Sequence, residues 1–264
     1  MLRALRILAA AAVFVGLNLF FLGFAEGTGG LARIQFAPAC MAFNLVAVGA
    51  VAAVTMLAGR IYCSVACPLG VFQDIVLWLR KLFAKANFSY RPGRIVVRAA
   101  CAAAFVVFAL CGGAALAGVI EPYSVYGRFV TQLVRPALQW TFNLLAAWCE
   151  AHEKYWVMSD EVVVAGLLSF FVAAASIVAI TVLTACAGRW YCNAVCPVGT
   201  LLSLVSKRPL MRIRIDASKC VRCGACVHVC KAACIDVKNM DIDNSRCVRC
   251  FNCLGVCRKG AVKL

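Results

Sequence analysis

Charged side chains are scarce in this sequence, and acidic side chains are scarcer still. Only 14% of the 264 residues are charged, with 11 Asp and Glu against 27 Lys and Arg. Hydrophobic residues make up 64% of the chain, and the mean hydropathy is +0.90. About half of a soluble protein is apolar, so this composition excludes an ordinary soluble domain. It predicts a membrane protein with a small polar segment outside the membrane.

Two motifs are also missing from the sequence. No stretch interleaves basic and aromatic residues, so the net charge of +16 does not indicate nucleic-acid binding. Basic residues retained on the cytoplasmic side of membrane helices explain this charge better. The sequence also lacks C-x-x-C-H, the attachment motif of c-type haem. We therefore expect neither nucleic acid nor covalently bound haem.

Cysteine, by contrast, is abundant, and eight of the 18 cysteines form a regular pattern near the C-terminus. Each half of the pattern has the spacing C-x2-C-x2-C-x3-C, the run of bacterial two-cluster ferredoxins, in which the fourth cysteine ligates the other cluster. A zinc site or a disulfide scaffold fits two matched quartets less well, and the pattern indicates a reducing compartment. The expected ligands are Cys220, Cys223, Cys226 and Cys257 for one [4Fe–4S] cluster, and Cys247, Cys250, Cys253 and Cys230 for the other.

Four apolar stretches are long enough to span a bilayer, which takes about 20 helical residues. The first is long for the core of a signal peptide and lacks a clear cleavage site, so we expect a retained helix. Residues 71–83 are predicted to form an amphipathic helix at the membrane surface. The predicted spans are residues 4–24, 37–58, 95–120 and 162–185. The sequence thus predicts an all-α membrane domain over residues 1–210 and an α+β two-cluster ferredoxin domain over residues 211–264.

The distribution of charge predicts the orientation in the membrane. Residues 59–98 carry seven basic residues, Lys85 among them, against Asp74 alone. Residues 121–161 are richer in acidic residues, including Glu153 and Asp160. By the positive-inside rule, the ferredoxin domain and both termini face the cytoplasm of a bacterial inner membrane. Within the acidic connection, residues 129–148 are predicted to be interfacial or re-entrant, with a full span as the alternative.

An internal repeat links the membrane part to redox chemistry. Residues 58–70 and 187–199 share the pattern A-G-R-x-Y-C-x3-C-P-x-G, and each follows a predicted span on the same side. The repeat predicts two helical hairpins related by a pseudo-two-fold axis along the membrane normal. That axis would bring together Cys63, Cys67, Cys192 and Cys196. Three interpretations remain for them: a third iron–sulfur site, redox-active thiols, or structural turns in which Pro ends a helix and Gly permits a bend.

The six remaining cysteines are assigned no ligand role. Cys234 lies four residues after Cys230, and its equivalent in the second run is Ala261, so it is interpreted as packing beside a cluster. The others lie in or beside apolar segments, where cysteine acts as a small hydrophobic residue. They are Cys40, Cys101, Cys111, Cys149 and Cys186.

The predicted helices, the two CxxxCP loops and the ferredoxin run resemble the NapH-type membrane subunits of quinol dehydrogenases, within the wider CxxxCP polyferredoxin family. The membrane part of NosR is similar, but its flavin domain has no counterpart in this sequence. The resemblance covers nearly the whole chain. The sequence departs from the ferredoxin pattern where Lys231 and Arg258, instead of Pro, follow the fourth cysteines. We expect this departure to affect the local backbone conformation and the reduction potential of the clusters, but not which cysteines are the ligands.

The resemblance implies a membrane-bound electron-transfer subunit that exchanges electrons between the quinone pool, cytoplasmic clusters and a partner redox protein. The partner would be a periplasmic iron–sulfur, cytochrome or flavin protein, or an acidic cytoplasmic carrier attracted by basic residues of the ferredoxin domain. The clusters are one-electron relays, which leaves open whether the chain alone is an enzyme. The alternative is a redox-sensing or metal-site assembly protein that uses the same clusters.

A quinone site would need a proton acceptor near an apolar cleft. Glu121, at the end of the third predicted span, is the candidate, with Tyr123 and Arg128 nearby. The alternative interpretation of Glu121 is a helix-end carboxylate at the membrane interface. A transporter is disfavoured because no predicted span carries a pair of charged residues.

Overall fold

The computed structural model describes residues 1–24, 27, 29–83, 88–152, 161–162 and 166–264. These residues are mostly helical, and their β-structure is confined to the C-terminal part. The first helices are α1 (Leu2–Leu22), α2 (Gly29–Arg33), α3 (Phe36–Met41), α4 (Leu45–Ala58), α5 (Tyr62–Val65), α6 (Pro68–Phe83), α7 (Ile95–Leu110) and α8 (Ala114–Ile120). They are followed by α9 (Pro122–Phe129), a π-helical turn (Val130–Val134), α10 (Arg135–Ala151), α11 (Leu167–Ala187), α12 (Trp190–Ala194) and α13 (Pro197–Val205).

Two of the described helices, α1 and α11, have the length and apolar composition of a membrane span. Each has 21 residues and is therefore about 32 Å long, enough for a hydrocarbon core of about 30 Å. Helices α4 and α7 are apolar but shorter, with 14 and 16 residues. Of the four predicted spans, two therefore appear as helices of spanning length.

The second and third predicted spans are shorter because the helix is interrupted inside each. Helix α3 ends at Met41, and α4 begins after Asn44, whose side chain accepts a hydrogen bond from the Ala47 amide at 3.1 Å. Between α7 and α8, Gly112 adopts a φ of 75°. Asparagine N-caps and left-handed glycines are common signals for helix ends. In the fourth predicted span, α11 begins at Leu167, and residues 163–165 lie outside the described residues.

Residues 122–151 form one continuous helical segment, which includes the residues 129–148 predicted to be interfacial or re-entrant. Helix α9 passes through the π-helical turn directly into α10. Pro136 stands in the first turn of α10 and has no amide to donate to the preceding turn, a common cause of helix irregularity. Three charged residues on which the predicted orientation depends lie outside the described residues, namely Lys85, Glu153 and Asp160.

The two copies of the internal repeat adopt the same local structure at the centre of the molecule. Each copy forms one short helix through its first cysteine, α5 or α12, and a second helix that starts at its proline, α6 or α13. Helix α6 packs against α1, α9 and α11, whereas α13 packs against α4 and α7. The amphipathic pattern of α6 thus faces other helices through Leu69 and Leu77, and it leaves Trp78 and Phe83 exposed.

The C-terminal part has the α+β character predicted for residues 211–264. Strand β1 (Arg214–Ile215) pairs antiparallel with β4 (Val262–Lys263), and β2 (Ile235–Asp236) pairs antiparallel with β3 (Asp241–Ile242). Two short helices, α14 (Ala225–His228) and α15 (Asn252–Val256), pack against each other. The register places Ile235 opposite Ile242, and both side chains are buried. These elements bring the two cysteine runs side by side.

Candidate iron–sulfur centres

Matching loops open the two cysteine runs of the C-terminal part. In residues 220–224, Arg222 and Gly224 adopt left-handed φ angles of 52° and 72°. In residues 247–251, the equivalent Arg249 and Phe251 adopt φ angles of 56° and 58°. A non-glycine residue in this region costs about 1–2 kcal/mol, and such strain is concentrated at functional sites. Both loops therefore fold in the same unusual way around their cysteines.

A cavity of about 420 Å³ lies at the outer side of the C-terminal part, and we call it the outer cavity. Three cysteines of the first run and the last cysteine of the second run line it. Cys223 is exposed, whereas the other three are partly buried. The rim of the cavity is basic, with Lys219, Arg258 and Lys259 all exposed. The four lining cysteines are Cys220, Cys223, Cys226 and Cys257, the set predicted for one cluster.

A second, small cavity is buried, and we call it the inner cavity. Ile213, Ile235 and Ile242 supply its apolar wall. The other predicted ligand set lines it: Cys230, Cys247, Cys250 and Cys253, all buried. Cys234 lines it as well, with its Sγ 3.6 Å from that of Cys230, in keeping with the interpretation of Cys234 as packing beside a cluster.

The cysteine sets suit a multi-atom cluster better than a single metal ion. Zinc holds sulfur ligands at about 2.3 Å, so the sulfurs of a zinc site converge on one point. Within the described ranges, no group of three or more His, Cys, Asp or Glu residues converges in this way. The cysteines of each set instead line a cavity, and soft thiolates are the ligands that iron–sulfur clusters take.

The repeat loops place their four cysteines together in the core. Cys63, Cys67, Cys192 and Cys196 are all buried and belong to one hydrophobic cluster with the cysteines of the inner cavity. Burial raises the pKa of Cys67 and Cys196, and the other cysteines of this group raise it further by like-charge repulsion. The two repeat loops therefore lie close enough for their four thiols to interact electrostatically. We call these four residues the paired-loop cysteines.

Two arginines connect the loops, because each donates hydrogen bonds to the backbone of the other copy. Arg60, from the first copy, donates to the carbonyl of Cys192 at 2.8 Å. Arg189, from the second copy, donates to the carbonyl of Cys63 at 2.6 Å and to that of Gly70 at 2.6 Å. Both arginine side chains are fully buried. Each copy of the repeat therefore completes the loop of the other, so neither loop is a self-contained turn.

The proline and glycine of each loop do not act as the turn interpretation expects. Pro68 and Pro197 begin helices instead of ending them, at a position where a missing amide costs nothing. A Cβ added to Gly70 would lie 2.1 Å from the Cys63 carbonyl oxygen, and one added to Gly199 would lie 2.3 Å from the Cys192 carbonyl oxygen. These glycines are required for close packing inside a helix, not for a bend.

A Gly70→Ala substitution is therefore expected to destabilise the protein by about 1–3 kcal/mol, the usual cost of overpacking a core, and to separate the loops. Thermal unfolding in detergent, followed by circular dichroism, measures this change. Gly49→Ala is the matched control, because a Cβ at this α4 position meets nothing within 4 Å. Equal melting temperatures for the two variants would contradict the packing role.

One carboxylate, Asp74, joins three parts of the chain. It forms ion pairs with Arg6 of α1, with Arg189 of the second loop and with Lys231 of the C-terminal part, each with an N–O distance of 2.8 Å. Burial alone would raise the pKa of Asp74, but Arg189, Lys231 and Arg6 outweigh it and hold the pKa well below its usual value. Lys231, which replaces the usual Pro after Cys230, thus ties the ferredoxin part to the helices.

Positive charge exceeds negative charge around the two buried sets of cysteines, which are the paired-loop cysteines and the cysteines of the inner cavity. Asp74 is one anion against three cations. Arg60 bonds Asn193 Oδ1 and backbone carbonyls, and within the described part of the chain it has no carboxylate partner. Arg249 is fully buried, and none of its three guanidinium nitrogens meets a hydrogen-bond partner in the described residues. The Cys234 thiol, and then Arg249 and Arg60, lower the pKa of Cys247 to about 7.

Glu121 has the geometry of the alternative interpretation, a helix-end carboxylate. It is buried at the N-terminus of α9, where its two oxygens accept from the amides of Tyr123 at 2.9 Å and Ser124 at 2.5 Å. Arg128 donates to the carbonyl of Gly118. Burial raises the pKa of Glu121. Both carboxylate oxygens are thus engaged within the helix cap.

The remaining cysteines lie at the periphery. Cys40, Cys111 and Cys186 are exposed, and Cys101 and Cys149 are partly buried, so none packs in the core as a small hydrophobic residue would. The functional residues that the sequence reasoning missed are Arg60, Arg189 and Asp74. The repeated A-G-R pattern was the available signal for the two arginines, because they occupy the same position in both copies.

Comparison with known proteins gives the same chemistry. A family model for a 4Fe-4S binding domain, Fer4_5, matches residues 41–86 and 167–216, the two segments that contain the CxxxCP loops. A second 4Fe-4S binding domain model, Fer4_2, matches residues 211–232, which contain the first ferredoxin run. The chain carries ferredoxin-type 4Fe–4S binding domains. These matches support an iron–sulfur electron-transfer protein of the ferredoxin type.

Two curated relatives are similar to parts of the chain. The methylamine utilization ferredoxin-type protein MauN of Methylobacillus flagellatus is 27% identical over 177 residues, which cover 65% of this chain and 48% of that protein. The uncharacterized protein MJ0749 of Methanocaldococcus jannaschii is 39% identical over 41 residues, 16% of this chain and 17% of that protein. The chain therefore spans less than half the length of either relative. No solved structure matches it.

Proposed function

We propose that the chain is a membrane-bound electron-transfer subunit with three [4Fe–4S] clusters. Two belong to the C-terminal part, one in the outer cavity and one in the inner cavity, with the ligand sets that line each. The third is held between the repeat loops by Cys63, Cys67, Cys192 and Cys196. The clusters, when bound, supply one-electron redox chemistry, and the protein fixes their positions and their charge environment.

The excess of buried positive charge carries the proposal of the third cluster. A buried charge without an opposite charge costs several kcal/mol, so proteins rarely bury one. Arg60 is fully buried and contacts the Sγ of Cys63 at 3.9 Å, yet it has no carboxylate partner in the described ranges. Four deprotonated cysteines holding a cluster would provide the missing negative charge. Purely structural thiols would leave the arginine uncompensated.

Backbone contacts give the relay an order. The loops contact the segments that surround the inner cavity: the amide of Arg189 donates to the Lys231 carbonyl at 2.8 Å, and Asn193 donates to the Ala232 carbonyl at 3.1 Å. Arg60 reaches the Ser245 carbonyl, two residues before Cys247. The outer cavity opens to solvent through Cys223. The proposed sequence is therefore paired loops, inner cavity, outer cavity.

A membrane location explains the surface of the helices. In α1 the structure buries Arg6, Ala10 and Leu17 and leaves apolar residues such as Leu5 and Leu8 exposed. Helix α7 has no buried residue among those described, although all of its residues except Arg98 are apolar. Exposed apolar faces of this extent suit lipid. We propose a multi-pass protein, with α4 and α7 joining α1 and α11 in the bilayer and the clusters on the cytoplasmic side.

The basic rim of the outer cavity favours an acidic carrier as the partner at that end. Lys219, Arg258 and Lys259 surround the opening, and the exposed Arg222 lies in the first cysteine loop. Opposite charge on a soluble ferredoxin or flavodoxin would accelerate its association and make the rate depend on ionic strength. At the other end of the relay, we propose exchange with the quinone pool.

A Cys257→Ala variant tests the relay and its ligand assignment. It is expected to lose the outer cluster, about four iron per chain, although Cys257 lies in the second run. The other clusters should remain and be reduced by dithionite, whereas electron transfer to an acidic soluble carrier should fall to background. Cys234→Ala is the control, and it should retain all iron. Normal transfer in the Cys257→Ala variant would show that the outer site is not the exit.

A further inference from the structure

A cavity of about 660 Å³ lies between α1 and α4 and extends inward to the first repeat loop. We call it the α1–α4 cavity. Its wall is almost entirely apolar, and its volume is within the range of about 300–1,000 Å³ that is typical of small-molecule sites. The mouth is flanked by the exposed side chains of Leu2, Leu5 and Val54, which lie on the apolar surfaces of the two helices. The cavity therefore opens toward the proposed lipid phase.

The inner end of the cavity carries polar groups that are not fully bonded. Gln35 is 1% exposed, and its Oε1 accepts from the Tyr62 hydroxyl at 2.8 Å, while its Nε2 has only a long contact of 3.4 Å to the Leu31 carbonyl. Arg6 is 8% exposed and pairs with Asp74 through Nη1, but its Nε meets no acceptor in the described part of the chain. Two N–H donors are thus available at the end of an apolar cavity, which favours a ligand that accepts hydrogen bonds.

The same end of the cavity adjoins two cluster sites. Tyr62 and Ala66 line the cavity and precede Cys63 and Cys67 of the paired loops. Phe251 also lines it and follows Cys250 of the inner cavity. A molecule bound at this end of the cavity would therefore contact residues that directly precede or follow a cysteine of each set in the chain. A lipid-soluble carrier that accepts electrons fits this position. The tail of a lipid does not fit it equally well, because a hydrocarbon has no acceptor for the two N–H donors.

We propose that the α1–α4 cavity binds the head group of a lipid-soluble quinone. A ring carbonyl oxygen accepts from Gln35 Nε2 or Arg6 Nε, the flat ring packs on the apolar wall, and the isoprenoid tail leaves between α1 and α4. The redox role of this ligand rests on the proposed function, but its binding does not. This location differs from Glu121, whose carboxylate oxygens are both engaged by backbone amides.

Equilibrium binding of decylubiquinone to the protein in quinone-free nanodiscs tests the proposal. Ala50→Phe fills the cavity and is expected to abolish saturable binding. Gln35→Leu removes one donor and is expected to weaken binding about tenfold, the effect of one hydrogen bond. Val46→Phe is the matched control, because Val46 lies on the same helix, is exposed and does not line the cavity. It should bind as the wild type does.

Saturable binding that survives Ala50→Phe, or no saturable binding in the wild type, would overturn the site and leave lipid as the occupant. Iron content and dithionite reduction of Ala50→Phe separate this outcome from failure of the proposed function. If both are normal while binding is lost, the site stands and the clusters are independent of it. If the wild type binds quinone but quinol reduces no cluster, the site stands and the relay fails.

Discussion

An Asp74→Asn variant will be less stable than the wild type by about 3–5 kcal/mol. Asp74 is the one carboxylate shared by Arg6, Arg189 and Lys231, each at 2.8 Å. Removing one partner of a buried ion pair costs this much because it leaves the other charges buried without compensation. Here three cations from three different parts of the chain would lose their common anion. The C-terminal part would also lose the side-chain link through Lys231 to the helices.

Thermal unfolding in detergent, followed by circular dichroism, measures this effect. Asp216→Asn is the control, because Asp216 pairs with Lys263 at the surface and its substitution should change the melting temperature little. Limited proteolysis provides a second measurement, since cleavage between Val205 and Arg214 should accelerate only in the Asp74→Asn variant. An Asp74→Asn variant as stable as the Asp216→Asn variant would show that the buried cations need no anion from the protein.

An Arg60→Met variant will lose the cluster of the paired loops, about four of twelve iron per chain if three cubanes are present. Arg60 donates to the Cys192 carbonyl and to Asn193 of the other loop, and it contacts the Sγ of Cys63. Its removal eliminates hydrogen bonds between the two loops, and it also eliminates the cation that offsets the negative charge of the cluster. Iron and acid-labile sulfide analysis of protein purified without oxygen measures the loss.

The same substitution distinguishes a cluster from structural thiols by the sign of its effect. Without a cluster, Arg60 is an uncompensated buried charge, and replacing it with an apolar side chain should be neutral or stabilising. With a cluster, the substitution should destabilise the protein and reduce its iron. Arg3→Met, at an exposed site near the start of α1, is the control for loss of one positive charge. An Arg60→Met variant with unchanged iron and a higher melting temperature would exclude the third cluster.

The cysteine pattern predicted more of the candidate sites than of the fold. Ligand spacing is local, so the two runs predict two ligand sets that exchange Cys230 and Cys257. Each set lines one cavity, although Cys234 lines the inner cavity as well. The internal repeat likewise predicted that the two CxxxCP loops would meet. Both inferences need only the identity and order of the residues, because two copies of a sequence repeat are expected to make equivalent contacts.

The ion pairs and the helix ends were less predictable. Asp74 stood out as the sole acidic residue of a basic segment, but its three partners lie 68, 115 and 157 residues away, and no local pattern relates them. The breaks near Asn44 and Gly112 were outweighed by continuous hydropathy, since an apolar run does not show where a helix inside it ends. The roles of Gly70 and Gly199 depend on a carbonyl in the preceding helix, which only the folded loop brings close.

The central claim is that the paired loops hold a third cluster, and iron counting tests it most directly. Iron and acid-labile sulfide, with EPR of the reduced protein, should be compared between the wild type and a Cys63→Ala, Cys192→Ala variant purified anaerobically. Cys101→Ala, Cys149→Ala is the matched control, with two cysteines removed outside the cluster sites. We predict about twelve iron per chain in the wild type and in the control, and about eight in the loop variant, with one EPR signal missing. About eight iron in all three proteins, with identical spectra, would contradict the claim.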